Sequence, residues 1–333
     1  MVFEKTRFFR NKRVVVTGAS GLLGRHLVER LLDAGASVRA VVHKRPSYLD
    51  GYPVEIVRAD LTDERCCDSV MSGMDAACLC ASVTVGAAQA IKNPMVAVTP
   101  NLIIAARCLQ SACLREVERV LLISSTTVYP AYVRPVREDE AFLDEPHPAY
   151  QGVGNMKRYV EKLARFYFDK YGLKIAIVRP VPFYGRYDDF NFETCHVIPA
   201  LIRKAVEKHN PFEVWGSGGE ARDFLHVKDV ARGCLLILEH YPECDGINLG
   251  SGSSVSIKQL AEMITRLAEC RSPLVFNESK PSTIPVRVVE VNKAKEKVGF
   301  SSEISLEEGL LDTIQWFRSS SPRMLEAPAL END

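Results

Sequence analysis

Six short apolar runs, covering residues 13–18, 37–42, 54–59, 75–81, 119–124 and 174–180, alternate with longer segments of helical pattern. Continuous apolar runs signal strands buried on both faces, which is the condition of a parallel sheet covered by helices. In the segment 22–35, apolar residues recur at three and four and the pattern stops at Gly35, a natural helix terminator. The chain therefore reads as α/β, a doubly wound parallel Rossmann sheet rather than a barrel or a bundle. Its first strand-to-helix turn carries the strongest local signal. Gly18 permits the tight turn, Gly21 lets backbone approach a pyrophosphate, and Gly24 lets the helix pack close to the strand. The helix N-terminus then offers free N–H groups and a positive dipole end to phosphates. Gly18, Ser20, Gly21, Leu22, Leu23 and Gly24 are thus expected to hold a dinucleotide.

The end of the second strand selects the kind. Where an acidic side chain would accept from an NAD ribose stand His43, Lys44 and Arg45, a cationic cluster suited to a 2′-phosphate, so NADP is preferred over NAD. Asp60, after the third run, either accepts from the adenine amino group or caps a helix starting near Leu61.

The charge balance removes whole classes of partner. Lys+Arg and Asp+Glu both total 42, so no basic field exists to attract nucleic acid or an anionic membrane. Ten cysteines without Cys-x-x-Cys spacing read as reduced thiols, with neither a disulfide framework nor a metal site expected. The N-terminal residues are charged without an apolar core, and no later run is expected to reach the ~18 apolar residues of a membrane span. A soluble, cytoplasmic protein follows.

At 333 residues the chain can carry a second lobe. After Pro180 the alternation lapses into an aromatic and polar loop over 181–195, followed by short elements and a final amphipathic helix around 305–318. The expected division is a dinucleotide-binding domain over 1–180 with about 223–250, a substrate lobe over 181–222 and 251–320, and a flexible tail over 321–333.

Thr17-Gly-x-x-Gly-x-x-Gly24, Ala59-Asp60-Leu61, Ser124 to Tyr129, Arg179-Pro180 with Tyr184-Gly185, and Arg222 to Asp229 follow in order across most of the chain. Together they resemble the extended short-chain dehydrogenase/reductases, the NAD(P)-dependent epimerases, dehydratases and reductases of nucleotide sugars. Val85-Gly86, Asn101 to Ala106, Asn191-Phe192 and His196 to Arg203 are similar to the GDP-L-fucose synthase-like branch. The resemblance implies that Ser125 hydrogen-bonds the reacting oxygen, with Thr126 and Thr127 beside it. It implies that Lys157 binds the nicotinamide ribose, that Leu61, Ala81 and Pro180 line the cofactor, and that His196 acts as a general acid. It assigns Arg222 and Arg287 to the substrate diphosphate, and Asn191, Arg203, Lys204 and Trp215 to sugar, phosphate or base. A homodimer pairing the helices near 92–113 and 151–171 is also implied.

The departures matter as much. The family's catalytic tyrosine belongs one helical turn before Lys157, and that residue is Val153, which has no proton to exchange. Tyr150 lies seven residues before Lys157, about 10.5 Å along a helix axis, and serves either as a substitute or in packing. Thr127 stands where epimerising members carry cysteine, Pro182 where asparagine precedes the Tyr-Gly pair, and Met95 where a helix asparagine is expected. His196 alone cannot run a two-base epimerisation, and it caps a helix or binds a sugar hydroxyl as an alternative. Two functions remain: an enzyme acting on a nucleoside-diphosphate keto sugar, or a catalytically weak cofactor- or sugar-nucleotide-binding protein. A Val153 introduced deliberately would explain the departure equally well.

Overall fold

The computed structural model describes residues 7–84, 93–280 and 284–325, so Val85 and Gly86 lie outside the described residues. The first part of the chain folds as β1 (Arg13–Thr17), α1 (Leu22–Asp33), β2 (Ser37–Val42), β3 (Val54–Arg58), α2 (Glu64–Met71), β4 (Ala76–Leu79), α3 (Thr99–Leu114), β5 (Arg119–Ile123), α4 (Gln151–Tyr171) and β6 (Lys174–Pro180). Then come β7 (Phe183–Tyr184), α5 (Val197–Val206), β8 (Phe212–Trp215), β9 (Ala221–Arg222), β10 (Leu225–His226), α6 (Val227–His240) and β11 (Glu243–Leu249). The chain continues through β12 (Val255–Ser256), α7 (Ile257–Leu267), β13 (Leu274–Asn277), β14 (Val286–Arg287), α8 (Asn292–Val298) and α9 (Leu306–Leu325).

Seven strands form one sheet in the order β3-β2-β1-β4-β5-β6-β11, and every neighbouring pair is parallel. The strands alternate their side chains between two buried layers. Val14, Val16, Val38 and Ala40 face α1 and α6 through Leu27, Leu31, Val230 and Cys234. Val15, Val41, Ala77 and Leu122 face α2, α3 and α4 through Met71, Leu109, Met156 and Val160. Burial on both faces is why the strands read as unbroken apolar runs. A third core, built on Ile202, Phe212, Leu260, Ile264, Ile314 and Phe317, belongs to the smaller sheets and their helices. All ten cysteines are free.

Helix α1 ends as its sequence requires. Gly35 adopts φ +80°, its N–H donates to Leu32 O at 2.9 Å, and Ala36 N–H donates to Leu31 O at 2.9 Å, which closes the last turn on itself. Two segments depart from expectation. Helix α9 runs to Leu325, beyond residue 320 where a flexible tail was expected, and Pro322 lies within it. Met95–Leu114 has a mean hydropathy of 1.3 and is long and apolar enough to cross a bilayer by length and composition. A third of it is buried in the protein, where α3 packs on α2 and α4.

One buried network ties the sheet to α4. Arg179, from β6, donates through Nε and Nη2 to the Glu161 carboxylate of α4 at 3.0 and 2.6 Å, and both side chains are 4% exposed. Ser124, at the end of β5, donates to the same carboxylate. Arg179 Nη1 donates to the Tyr129 hydroxyl at 3.0 Å, which donates to Asn248 Oδ1 in β11 at 2.5 Å. Gly246 is obligatory beside it, since a Cβ there would sit 2.5 Å from Arg179 Cζ. Removing one charge of a buried pair strands the other, at a cost of about 3–5 kcal/mol. Glu161→Gln is therefore expected to lower unfolding free energy in urea by that amount, and a loss under about 1 kcal/mol would show that the pair is not what holds α4 to the sheet.

Candidate functional site

The strand order reverses between β1 and β4, and the carboxyl ends of strands at such a point open a crevice suited to a ligand. Thr17 closes the seam beneath it. Its hydroxyl donates to Cys78 O at 3.3 Å and accepts from the N–H groups of Cys80 and Ala81 at 3.0 and 3.1 Å. Gly18 follows with φ +65°, and a Cβ there would lie 2.8 Å from Ala81 Cα. At Gly24 a Cβ would meet Gly18 O at 2.2 Å. No side chain caps α1 at Gly21, so the N–H groups of the first turn, from Leu22 to Gly24, remain for a ligand. Ser20 and Leu22 are half-buried on this turn while Leu23 is buried beneath it. A cradle that only glycine fits, ending on an uncapped helix, suits a dinucleotide pyrophosphate.

His43, Lys44 and Arg45 stand exposed beyond β2. Arg58 donates to the His43 carbonyl, and Arg45 Nη2 reaches Asp189 Oδ2 at 3.8 Å, a solvent-exposed pair of little strength. Asp60 is not the cap of a helix starting near Leu61: it accepts from Thr62 N–H and Oγ1 at 2.9 and 2.7 Å, which holds its carboxyl below the usual range. Helix α2 starts three residues later than expected, at Glu64, where Asp63 accepts from Cys66 N–H at 3.0 Å. Leu61 is buried.

At the end of β5, Ser125 is half-buried and its Oγ accepts from Thr127 N–H at 3.1 Å, fixing the turn Thr126–Val128. Thr126 is buried, and Thr127 Oγ1 is buried with no hydrogen-bond partner among the described residues. Val153 and Lys157 lie one turn apart on α4, Val153 packing into the second core layer. Lys157 Nζ donates to Ile123 O at 2.8 Å, two residues before Ser125. Burial pushes its ammonium down to about 8, with Glu161 and Cys80 opposing, and the same burial pushes the Cys80 thiol up to about 12. Pro180 is buried at the end of β6. Tyr150 is not beside Lys157; its ring lies under the Arg287 guanidinium, Cζ to centroid 4.1 Å.

The other lobe supplies the facing wall. Arg222 on β9 and Arg287 on β14 are in register on neighbouring parallel strands. Burial lowers both, Arg287 to about 10, with Arg222 adding to the effect, so both stay cationic at neutral pH. Asn191 and His196 are exposed. His196 occupies the N-cap position of α5 without a side-chain cap bond, so its expected capping role is not observed. Arg203 is committed to its own lobe, donating to Glu207 Oε1 at 2.8 Å and Phe190 O at 2.9 Å, and Lys204 donates to Glu213 O at 2.8 Å. Trp215 is 40% exposed, with Lys280 Nζ 5.6 Å from its ring.

Sequence reasoning gave no positioning role to two residues that have one. Met95, where a helix asparagine was expected, is 71% exposed, while Asn101 of α3 has a buried amide that accepts from Val83 N–H at 2.7 Å and donates to Val83 O and Ala97 O at 3.0 and 2.6 Å. Its signal was an amide set directly before the apolar run Leu102–Ala106. Tyr187, in the loop after β7, stacks 3.7 Å from Arg25 of α1 and 5.1 Å from Trp316, joining the glycine-cradled helix to the other lobe.

The sequence matches the NAD dependent epimerase/dehydratase family over residues 14–250. It is 30% identical over 314 residues to the GDP-L-fucose synthase of Sinorhizobium fredii, spanning 93% of this chain and 96% of that one. The fold is similar to that of a Thermotoga maritima UDP-glucose 4-epimerase solved with UDP-glucose, with a TM-score of 0.84 at 24% identity over 93% of this chain and 99% of that one. It is also similar to MoeE5 in complex with UDP-glucose and NAD, with a TM-score of 0.80 at 26% identity over 93% and 100%.

Asp188, in the loop leading to Asn191, gives a pH test of this wall. Its Oδ1 accepts from Asp189 N–H at 2.8 Å, while Oδ2 is buried with no partner among the described residues. Burial, reinforced by the charge of Asp189, pushes the carboxyl up to about 8. Because the folded pKa lies above the unfolded value of about 3.9, stability present below that value is lost as pH rises through 8. Asp188→Asn is expected to raise Tm more at pH 8 than at pH 5, and equal shifts at both would show an ordinary carboxylate.

Proposed function

Since this chain belongs to the NAD-dependent epimerase/dehydratase family, we propose that it is a pyridine-dinucleotide-dependent oxidoreductase or epimerase acting on a nucleoside-diphosphate keto sugar. The observation that carries the reading is the Arg222–Arg287 pair. Arg222 is buried and Arg287 half-buried on adjacent strands, so like charge is concentrated there even with Glu220 acting on Arg222, and a planar fork suits the oxygens of a diphosphate. The glycine cradle and the uncapped α1 support a dinucleotide opposite, and MoeE5, with its NAD and UDP-glucose, supports the same combination.

In this reading Gly18 to Gly24 hold the pyrophosphate, and the bound dinucleotide supplies or accepts hydride. Ser125 orients the sugar oxygen from the end of β5. Lys157, fixed by Ile123 O, presents its ammonium to the cofactor ribose. Asn191 and His196 contact the sugar, with Trp215 toward the base. The proton comes through water, since Val153 carries none and Tyr150 is engaged by Arg287. A homodimer through α3 and α4 belongs to the proposal, supported by the exposed apolar side chains Ile103, Tyr159, Phe166 and Tyr171. So does a cytoplasmic setting, in keeping with the ten free thiols.

Val153 favours a second reading, a binding protein with weak catalysis, because positioned acid–base groups are worth about 10²–10⁴ in rate. Val153→Tyr is expected to raise NADPH oxidation with GDP-, UDP- or dTDP-linked 4-keto sugars by about 10²-fold or more. No gain, with nucleotide and cofactor both bound, would decide for the binding protein. His43, Lys44 and Arg45 support NADP over NAD. Arg45→Ala is expected to weaken NADP(H) about tenfold and leave NAD(H) unchanged in calorimetry, one charged hydrogen bond being worth about 1.5–3 kcal/mol; equal losses would withdraw the preference.

A further inference from the structure

The tyrosine three residues before the place where a catalytic tyrosine is missing is turned to other work. Tyr150 ends the short turn Pro148–Tyr150, immediately before α4 begins at Gln151. The turn is stiffened at its start: His147 Nδ1 accepts from Ala149 N–H at 3.1 Å, and Tyr150 N–H donates to His147 O at 2.8 Å. The phenol ring is thereby held half-buried against the Arg287 guanidinium at 4.1 Å, and the ring of His147 lies 6.2 Å from it.

Arg287 needs such a support. It sits in register beside Arg222, whose Nη1 is anchored on Ala221 O at 2.7 Å and Pro285 O at 3.3 Å. Arg222 is held by those carbonyls and by the charge of Glu220, while its own positive charge works against the placement of Arg287, whose long side chain has many other rotamers open to it. An aromatic face offers negative quadrupole to a cation, and the attraction strengthens as the pair is desolvated. A ring against the face of a guanidinium does not compete for its N–H groups, which lie in the plane of the fork.

We propose that Tyr150 is a positioning residue for nucleotide binding: its ring holds Arg287 beside Arg222 in the orientation that receives a diphosphate, and its hydroxyl takes no part in proton transfer. This rests on the assignment of the arginine pair to the diphosphate. The ring carries the effect, so phenylalanine suffices in its place and an aliphatic side chain does not.

The test is calorimetric titration of the full chain with GDP, UDP and dTDP, with far-UV circular dichroism and melting curves on every variant. Tyr150→Ala and Tyr150→Leu are expected to weaken the nucleotide that binds by about tenfold, while Tyr150→Phe stays within about twofold of the unmodified protein. In the background Arg287→Met, which itself weakens binding, Tyr150→Leu is expected to add nothing. Three results would overturn the proposal: full affinity in Tyr150→Leu, a loss in Tyr150→Phe as large as in Tyr150→Leu, or an undiminished Tyr150→Leu effect without Arg287. If Arg287→Met binds as well as the unmodified protein, or no nucleotide binds at all, the diphosphate assignment itself fails and takes the proposal with it.

Discussion

The Glu161–Arg179 ion pair is the constraint on which the geometry of the cleft depends. It joins the middle of α4 to β6, and through Ser124, Tyr129 and Asn248 it reaches the ends of β5 and β11. A charged pair this deep gains little for stability against an apolar alternative. What it supplies is orientation. Glu161 lies one turn beyond Lys157, so fixing Glu161 to the sheet fixes the face of α4 that carries Lys157 and Val153 toward Ser125. The same carboxylate opposes the effect of burial on the Lys157 ammonium.

Much of this was legible in the sequence, and the reason is physical. A parallel sheet covered on both faces demands unbroken apolar strands, and a pyrophosphate turn demands glycine where a Cβ collides, so β1 to β6 and the Gly18-Gly21-Gly24 cradle announce themselves. The apolar runs overshoot β1, β3, β4 and β5 by one or two residues because their last residues already belong to the loops of the cleft. Long-range side-chain partnerships left no such mark. Nothing local says that Asn101 holds Val83 or that Arg203 closes on Phe190 O, whereas the choice of Asp63 over Asp60 as the cap of α2 is made within three residues.

The two lobes divide the chemistry unevenly. The sheet side retains the cofactor cradle, Ser125 and Lys157, and lacks a titrating tyrosine one turn away. The opposite wall concentrates its charge in two arginines and spends an aromatic ring on one of them. Between them the loop after β7 is clamped at Tyr187 by Arg25 of α1 and by Trp316 of α9, so the helix at the pyrophosphate turn and the segment leading to Asn191 and His196 share one contact.

The position of β11 has a consequence for synthesis. Strand β6 is complete at Pro180, yet its outer neighbour ends at Leu249, with the first elements of the smaller lobe in between. On a ribosome adding about 5–20 residues per second, the rim of β6 stays unpaired for roughly 3–14 s. An open strand rim of Ile175, Ile177 and Val178 is an invitation to pair with foreign chains. The order of the strands along the chain thus leaves one flank of the sheet unpaired until the smaller lobe has begun to emerge.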